Sequence, residues 1–249
     1  MAEWPDGYDR RVYDSLDSTL NEAARLVPTL AGPTWILALE QTAARGRRGR
    51  AWSTPRGNFA ATLVMARPED PGTAALRSFV TSLALYEALV AVTGRPGDFA
   101  LKWPNDVLLK GGKLAGILLE SLGAHLVIGI GVNLAHAPPA GALEPGALRP
   151  VTLAGEGATR IAPEDFLDTL AAAYALREAQ FRAHGFAPIR STWLEHAARR
   201  GERIRARTMR DEITGIFEDV DARGHLILRT EQGRVPIAAA DVFFQKEEG

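Results

Sequence analysis

The chain has 249 residues, 46% of them hydrophobic, which is enough to bury a sizeable core in one large domain or two smaller ones. Its formal net charge is -1, so no overall basic field attracts nucleic acid or anionic lipid. It has no cysteine, which excludes disulfides, thiolate metal sites and cysteine nucleophiles. The N-terminal residues lack an apolar signal core, and no run approaches the ~18 apolar residues of a membrane span. The sequence therefore predicts a soluble, cytoplasmic protein.

The first element in the chain is a helix predicted over residues 17-31. Ser18 or Thr19 can cap its start, and Thr19 with Glu22 fits a capping box. Its predicted apolar face is formed by Leu20, Ala23, Ala24 and Val27. The same hydroxyls, together with the helix N-terminus, also suit a ligand. The residues alone leave both interpretations open.

A loop rich in arginine follows a predicted apolar strand from Trp35 to Glu40, with Gln41 at the end of that strand. The loop, residues 42-58, carries four arginines within six residues: Arg45, Arg47, Arg48 and Arg50. Gly46 and Gly49 between them permit close backbone approach, and guanidinium groups bind phosphate or carboxylate oxygens in bidentate fashion. We expect such a loop to be mobile until an anion neutralises it. An exposed basic loop or an RNA-binding patch is the alternative interpretation.

Residues 101-120 hold three of the four lysines of the chain, Lys102, Lys110 and Lys113, in a sequence that otherwise uses arginine 25 times. An ammonium is a compact charge that suits a phosphoryl or carbonyl oxygen. Pro104 restricts its own backbone and that of Trp103, so Asn105 and Asp106 follow a rigid corner. Ordinary turn chemistry with solvated lysines fits the same residues.

The remaining pattern predicts alternating strands and helices. Strands are expected at Phe59 to Met65 and at Lys113 to Glu120. After a turn at Gly123, a further strand with the sequence LVIGIGVNL is expected to run back beside the second of these. A helix capped by Thr73 lies between the first two strands. In the returning strand, Gly129 and Gly131 bring the backbone against a ligand and leave Asn133 exposed at its end, although glycines that merely relieve packing fit equally well.

The C-terminal half is predicted to change from helices to short strands. A long loop without periodicity covers residues 135-158. The longest helix begins at Pro163, and a second helical stretch runs through Trp193. From residue 201 onward, short strands separated by turns predict a small β-barrel-like module.

Five motifs in order carry a family resemblance: DST, EQTAARGRRGRAW, KWPNDV, KLAGIL and GIGVNL. Together they resemble the biotin protein ligases (biotin, acetyl-CoA-carboxylase ligases), from about residue 15 to the end of the chain. The resemblance implies an α+β fold, in which a mixed sheet flanked by helices forms a class II synthetase-like catalytic domain over residues 1-200. A C-terminal SH3-like β-barrel over residues 201-249 completes it. Ala44 and Leu20 depart from the family pattern, and the few residues before DST imply the short form without an N-terminal DNA-binding domain.

The resemblance also implies an activity and its residues. It implies activation of biotin by ATP as biotinyl-5'-AMP, release of pyrophosphate, and transfer to a lysine of a biotin carboxyl carrier protein domain. Mg²⁺ is expected as a cofactor carried mainly by ATP, without assigned protein ligands. The implied biotin-binding residues are Ser18, Thr19, Gln41, Arg45, Gly46, Arg47, Lys113, Gly116, Gly129 and Gly131. The implied ATP-binding residues are Arg47, Arg48, Trp52, Asn105, Lys113 and Asn133. Lys113, Arg45 and Asp106 are the implied catalytic residues, with Asp106 orienting or deprotonating the acceptor lysine.

Three other functions fit parts of the sequence. An ATP-dependent lipoate protein ligase would share the fold, whereas the thioester-exchanging enzymes of that group need a cysteine that this chain lacks. An RNA-binding module would use the arginine loop and the barrel, against which the near-neutral net charge argues. A catalytically inactive scaffold is the third, although the sequence gives no sign of missing active residues.

The charge balance gives a first prediction. Binding to RNA or DNA should be weak and lost at moderate salt, because only a few arginines would neutralise phosphates. Electrophoretic mobility shifts across a salt series measure this. Sequence-selective binding that survives ~200 mM salt would instead favour the RNA-binding module.

Overall fold

A computed structural model describes residues 2-67, 70-138, 146-158 and 160-244. Two sheets organise the chain. Seven strands form a mixed sheet in the order β1-β2-β3-β7-β6-β5-β4, in which β1 and β2 are parallel and the other neighbours antiparallel. Its strands are β1 (Asp9–Tyr13), β2 (Thr34–Ala38), β3 (Phe59–Ala66), β4 (Phe99–Lys102), β5 (Asp106–Leu109), β6 (Gly112–Leu122) and β7 (His125–Val132). Lys246 and residues 139-145 of the predicted long loop lie outside the described residues.

The second sheet contains five antiparallel strands in the order β11-β10-β9-β8-β12. These strands are β8 (Arg203–Arg207), β9 (Glu212–Val220), β10 (Leu226–Thr230), β11 (Gly233–Ile237) and β12 (Asp241–Phe244). The predicted change to short strands near residue 201 is confirmed, and the sheet is consistent with an SH3-like domain. We call it the C-terminal module.

Helices cover both faces of the large sheet, as the fold prediction requires. They are α1 (Thr19–Leu26), α2 (Pro71–Ala75), α3 (Arg77–Thr93), α4 (Pro163–His184) and α5 (Phe186–Glu195). Because strand side chains alternate in direction, Trp35 and Leu37 join the main core with α3 and α4. On the opposite face of the sheet, Leu20 of α1 packs against a smaller apolar cluster that contains Ile36, Val64 and Val127.

One helical segment, Pro71–Thr93, is long and apolar enough to span a membrane by length and composition. Arg77 and Glu87 interrupt it, so it is not an unbroken apolar run of the kind that the sequence excludes. In this structure 67% of the segment's apolar window is buried inside the protein. Its composition reflects its place in the core.

Of the two cap residues predicted for α1, Ser18 is confirmed, whereas the capping box of Thr19 with Glu22 and the Thr73 cap of the next helix are wrong. Ser18 is the N-cap of α1, and its Oγ accepts a hydrogen bond from Leu20 N at 3.2 Å. The Thr19–Glu22 capping box does not form, because the Thr19 hydroxyl bonds other side chains. Likewise Asp70, rather than Thr73, caps α2 by accepting from two backbone N–H groups.

The helix α1 is shorter than predicted. It ends at Leu26, and residues Val27–Thr29 form a 3-10 turn that contains Pro28. Proline cannot donate the hydrogen bond that would continue an α-helix. Ala24, which was expected on the apolar face, is exposed.

The segment from Leu101 to Asp106 is a strand-turn-strand unit. Lys102 ends β4, Asp106 begins β5, and the two residues pair directly across the antiparallel ladder. The Trp103–Pro104 peptide bond between them is cis. The predicted rigid corner is therefore the turn that brings Lys102 and Asp106 together.

The C-terminal module is tied to this turn. Leu101 N donates to His196 O at 2.8 Å, and Ala198 N donates to Leu101 O at 2.8 Å, so the connecting chain lies along the edge of β4. The indole N–H of the buried Trp103 donates to Gly224 O of the module at 3.0 Å. These hydrogen bonds fix the module beside the strand that carries Lys102.

A buried ion pair joins the two core helices. Arg77 on α3 and Glu178 on α4 are bridged at 2.7 Å, with side chains only 5% and 4% exposed. Tyr174 donates a hydrogen bond to Glu178 at 3.5 Å. Removing one partner of such a pair is costly, because the other charge stays buried without compensation.

We expect Arg77→Met to lower the free energy of unfolding by roughly 3-5 kcal/mol. The matched control is Arg10→Met, which breaks the exposed pair with Asp168 and should change stability by less than about 1 kcal/mol. Urea unfolding followed by circular dichroism gives both values. Equal effects in the two variants would contradict the role assigned to the buried pair.

Candidate functional site

A cavity of about 540 Å³ lies between the large sheet and the C-terminal module. Its walls come from the start of α1, the arginine loop, the turn after β4, strands β6 and β7, residues 146-150 and strand β12. Every site residue predicted from the sequence lines it, except Arg48. These residues are Ser18, Thr19, Gln41, Arg45, Gly46, Arg47, Trp52, Asn105, Asp106, Lys113, Gly116, Gly129, Gly131 and Asn133.

A second cavity of about 560 Å³ lies where α5 meets the C-terminal module, lined by Leu194, Arg200, Phe217 and Arg229 among others. It contains none of the predicted site residues. The first cavity is therefore the candidate site.

One end of the candidate site is a neutral hydrogen-bonded network. Gln41 Oε1 accepts from both the backbone N–H (2.8 Å) and the hydroxyl (3.1 Å) of Thr19. Thr62 donates to the Thr19 hydroxyl at 2.8 Å, and Gln41 Nε2 donates to Thr54 at 3.1 Å. Ser18 and Thr19 are both buried. The network fixes the polar atoms before any ligand binds.

Glycines form the floor of the site. Gly116 on β6 and Gly131 on β7 lie directly opposite each other, and the indole of Trp52 covers both. A Cβ added at Gly131 would lie 2.5 Å from Trp52 Nε1, and one at Gly129 would lie 3.1 Å from a Leu20 methyl. Only glycine fits beneath these two side chains in their present positions. The floor therefore needs glycine for close approach.

Asn133 corrects one expectation. It lines the cavity but is only 2% exposed, so the predicted exposure at the end of β7 is wrong. The reason is that the chain beyond residue 148 returns beside it: Asn133 O accepts from Leu153 N at 3.0 Å. This part of the predicted long loop packs against β6 and β7.

A carboxylate lies between two ammonium groups at the other end of the site. Asp106 Oδ1 is 2.7 Å from Lys113 Nζ, and its Oδ2 is 3.6 Å from Lys102 Nζ. Burial raises the pKa of Asp106, but the charges of Lys113 and Lys102 lower it by more, so it lies below its usual value. Burial lowers the pKa of Lys102 despite the opposing charge of Asp106. The cluster holds more positive than negative charge.

The arginines of the loop are held by several partners. Arg45 donates to Asn21 at 2.9 Å and to Glu120 at 2.7 Å. Arg47 donates to Asn105 Oδ1 at 3.1 Å, and Asn105 is itself fixed by the 2.6 Å hydrogen bond that it donates to a β6 carbonyl. The pKa of Arg47 is lowered, chiefly by burial.

The C-terminal module supplies an anion to the same loop. Asp241 Oδ2 lies 2.7 Å from Arg48 and 3.1 Å from Arg50. The loop was expected to carry unbalanced positive charge, whereas Asp241 offsets part of that charge. The mobility of the loop itself stays a prediction.

Sequence reasoning missed several residues of the site. The sequence marks Lys102 only as one of three clustered lysines. Its burial and its contact with Asp106 result from the pairing of β4 with β5. Asp241, Val242 and Phe243 of β12 also line the cavity. No motif marks them, and they lie 91 or more positions further along the chain than the other walls. The described residues contain no group of three or more His, Asp or Glu that could hold a metal ion.

Comparison with known families gives two matches. Residues 12–133 match the "Biotin/lipoate A/B protein ligase family", and residues 201–245 match the "Biotin protein ligase C terminal domain". The first covers the strands and loops that build the floor and the neutral end. The second covers the C-terminal module.

Similar proteins agree with these matches. The chain is 56% identical over 234 residues to the biotin--[acetyl-CoA-carboxylase] ligase of Paracoccus denitrificans, which covers 92% of this chain and 97% of that protein. It is 30% identical over 240 residues to the bifunctional ligase/repressor BirA of Bacillus subtilis, covering 92% of this chain and 72% of that one. The biotin protein ligase of Aquifex aeolicus in complex with biotin and ATP has the same fold, with a TM-score of 0.84 at 24% identity over 94% of this chain and 97% of that one.

The contact between Trp52 and the floor gives a prediction. Gly131→Ala should destabilise the protein by roughly 1-3 kcal/mol, the usual cost of overpacking. In a Trp52→Ala background the same substitution should cost much less, because the clashing ring is gone. The control is Gly32→Ala, where an added Cβ meets nothing within 4 Å. Urea unfolding of the double-mutant cycle measures the coupling, and equal costs in both backgrounds would contradict the contact.

Proposed function

The chain belongs to the biotin protein ligase family, and from this premise we propose that it activates biotin with ATP and transfers it to a lysine of a carrier domain. One observation supports this most directly: a single cavity has a neutral hydrogen-bonding end at Thr19 and Gln41 and a cationic end at Arg47, Lys102 and Lys113. Biotin has an uncharged ring system and a carboxylate. Its activation requires that carboxylate to meet the phosphates of ATP.

The neutral end would bind the biotin ring. Ser18, Thr19 and Gln41 offer polar atoms above a floor of glycines at 116, 129 and 131, where a flat ring can lie close to the backbone. Leu20, which departs from the family pattern, packs over Gly129 at this end. Arg45 and Gly46 would close the pocket from the loop side.

The cationic end would bring two anions together. Attack of the biotin carboxylate on the α-phosphorus of ATP forms a mixed anhydride and releases pyrophosphate. Lys113 and Arg47 would neutralise the charge that develops on the α-phosphate. Asp106 is shared by two ammonium groups, so Lys102 can continue to balance it when Lys113 turns towards the phosphate.

The nucleotide would extend along the loop and β7. Arg48, Trp52, Asn105 and Asn133 are the residues that we assign to it, together with Arg47 and Lys113. Asn105 would contribute to nucleotide binding indirectly, because its side-chain oxygen accepts a hydrogen bond from Arg47 and so holds that guanidinium in place. Mg²⁺ would be carried by the triphosphate, since the described residues lack a metal-binding cluster of acidic side chains and histidines.

In the second step, a lysine of a biotin carboxyl carrier protein domain would approach as an ammonium, lose a proton to solvent and attack the acyl carbon of the anhydride as the neutral amine, forming an amide and releasing AMP. A carboxylate whose pKa is lowered is a weak base. We therefore assign Asp106 to orient the incoming ammonium by charge, in preference to deprotonating it. The relative from Paracoccus denitrificans is named for acetyl-CoA carboxylase, which makes that enzyme the first carrier to test.

We also propose the division of the chain into a catalytic domain at 1-200 and a C-terminal domain at 201-249. The second family match begins at residue 201 and strand β8 at Arg203. Limited proteolysis with identification of the fragments tests this domain boundary.

A cytoplasmic location is proposed as well, supported by the absence of cysteine.

The alternatives have less support. A lipoate ligase is not favoured, because the C-terminal match is to biotin protein ligases and the 56% identical relative is named for biotin. An RNA-binding module leaves the neutral network and the glycine floor without a role. Incubation with ATP and biotin, lipoate or octanoate, followed by pyrophosphate release and label transfer to a carrier domain, separates the three substrates. Activity with lipoate or octanoate but not with biotin would overturn the proposal.

Lys113 gives the sharpest test of the mechanism. We expect Lys113→Ala to reduce biotin-dependent pyrophosphate release by roughly 10²-10³-fold, the usual loss when one preorganised electrostatic donor is removed. Lys113→Arg should recover little, because a planar fork does not replace a compact ammonium.

The matched control for this test is Lys110→Ala, which removes a lysine three residues away whose partner is Glu156, outside the candidate site. It should keep nearly full activity. Thermal unfolding of all three variants separates lost chemistry from lost folding. Near-wild-type turnover in Lys113→Ala would leave Lys102 and the arginine loop to account for the reaction.

A further inference from the structure

The turn between β8 and β9 carries the most exposed large hydrophobic side chain among the described residues. Met209 is 94% exposed, compared with 67% for Leu176 and 46% for Val12. Methionine is enriched where proteins bind one another, because its flexible thioether adapts to irregular surfaces. A single exposed apolar residue is ordinary by itself. The surroundings of Met209 are what give it meaning.

The turn that presents Met209 is held by hydrogen bonds. Thr208 Oγ1 accepts from Arg210 N at 3.1 Å and from Asp211 N at 2.9 Å. The backbone N–H of Thr208 donates to Asp211 O at 2.8 Å. These bonds fix the backbone on both sides of Met209. A partner that covers the side chain therefore has little backbone motion to restrict, which lowers the entropic cost of binding.

Strand β12, the neighbour of this hairpin, lies at the mouth of the candidate site. The lining residues that are exposed mark the mouth of the cavity, and they include Arg50 and Gly146. Arg50 is 3.1 Å from Asp241, and a Cβ added at Gly146 would lie 3.4 Å from Phe243. Both contacts are to residues of β12 that line the same cavity.

The strand register places Met209 close to this mouth. Asp241 pairs with Arg207, the last residue of β8, and Met209 follows two positions later. Paired Cα atoms are ~5 Å apart and two residues span at most ~7 Å, so the Cα atoms of Met209 and Asp241 lie within roughly 12 Å of each other. An acceptor lysine reaches the cavity on a four-carbon stem. The domain that carries the lysine must therefore come close to the rim where the turn lies.

The hairpin also carries an excess of positive charge. Residues 203-212 contain four arginines against two acidic residues. Arg205 and Arg207 have acidic partners at 3.3 and 3.7 Å, whereas Arg210 is exposed in the turn next to Met209. Complementary charge steers a partner towards a surface and fixes its orientation. The tip therefore favours a partner that offers an apolar side chain beside acidic ones.

We propose that Met209 and Arg210, at the tip of the β8–β9 hairpin, form a docking surface for the carrier domain. Met209 packs against an apolar side chain near the acceptor lysine, and Arg210 faces an acidic residue of the carrier. The inference rests on the proposed function and gives the C-terminal module a part in recognising the protein substrate. The occupant that competes with the carrier in this interpretation is a second copy of the chain, which the test distinguishes.

The test separates carrier recognition from biotin activation in the full-length chain. Its probe is the unmodified biotin carboxyl carrier protein domain of acetyl-CoA carboxylase. Met209→Asp should raise the KM for this domain in biotin transfer by roughly tenfold, because an interface anchor is lost and an acidic partner is repelled. The control is Leu176→Asp, which places the same charge at an exposed apolar position on α4 and should leave the KM unchanged.

A small acceptor shows whether the chemistry itself is intact. Hydroxylamine attacks the acyl carbon of the mixed anhydride, forms a hydroxamate and releases AMP without any carrier. The rate of hydroxamate formation from biotin and ATP should be the same in Met209→Asp, Leu176→Asp and the wild type. A variant that loses both activities would have a damaged site, and that result would overturn the docking role of Met209.

A second pair of variants tests the charge. Arg210→Glu should raise the KM for the carrier several-fold at low salt, and the difference from the wild type should shrink as salt screens the repulsion. Arg223→Glu reverses a charge in another exposed turn of the C-terminal module and should leave the KM unchanged. Equal effects of the two substitutions would contradict a specific role for Arg210.

The remaining outcomes decide between the carrier and its competitor. An unchanged KM in both Met209→Asp and Arg210→Glu would overturn the proposal. So would self-association of the wild type in sedimentation that Met209→Asp abolishes, because the tip would then be covered by a second copy.

Fluorescence anisotropy of the labelled carrier domain measures docking without biotin or ATP. Failure of the wild type to form a hydroxamate from biotin would contradict the proposed function. Carrier binding that is weakened by Met209→Asp but not by Leu176→Asp would still support the docking surface in that case. Absence of carrier binding and of transfer in the wild type, with normal hydroxamate formation, would overturn the docking surface and leave biotin activation in place.

Discussion

The concentration of positive charge at one end of a single cavity is the constraint on which the rest of this site depends. Lys102 and Lys113 share Asp106, Arg45 is paired with Glu120, and the remaining loop arginines meet Asp241. Like charges at this density would repel one another without such partners. Each partner is an acidic side chain on a different strand, β5, β6 or β12. The fold therefore holds these cations close together by placing an acidic side chain from a strand beside each group of them.

The sequence predicted the larger elements of the fold correctly and missed those that depend on tertiary contacts. Strand β3 and the start of α4 carry strong local signals, namely an apolar run and a proline before acidic residues. Helix α1 shows the limit of such signals. Both Ser18 and Thr19 have a hydroxyl that could cap the helix. The Thr19 hydroxyl instead bonds Gln41, which follows β2, and Thr62 on β3, so Ser18 is the cap. Local patterns do not contain that information.

The same distinction applies to the site. All of the site residues predicted from the motifs except Arg48 line the cavity, because glycines at a ligand floor and cations around an anion have recognisable residue types and spacing. They gave the wrong environment for Asn133, which the returning chain beyond residue 148 buries. They also missed Asp241, whose role follows from its position beside a loop about 190 residues earlier in the chain. A single aspartate in a short strand has no local property that marks it as the partner of an arginine loop.

The position of the C-terminal module follows from these observations. Its connection to the large sheet runs through backbone hydrogen bonds at Leu101 and through the Trp103 indole, both adjacent to Lys102. Its last strand then reaches the opposite side of the cavity, where Asp241 meets the loop. A module fixed at two points around one cavity constrains the distance between the lysine cluster and the arginine loop. Because the proposed reaction brings two anions together in this cavity, the attachment of the module on both sides of it belongs to the geometry of the site as well as to the stability of the fold.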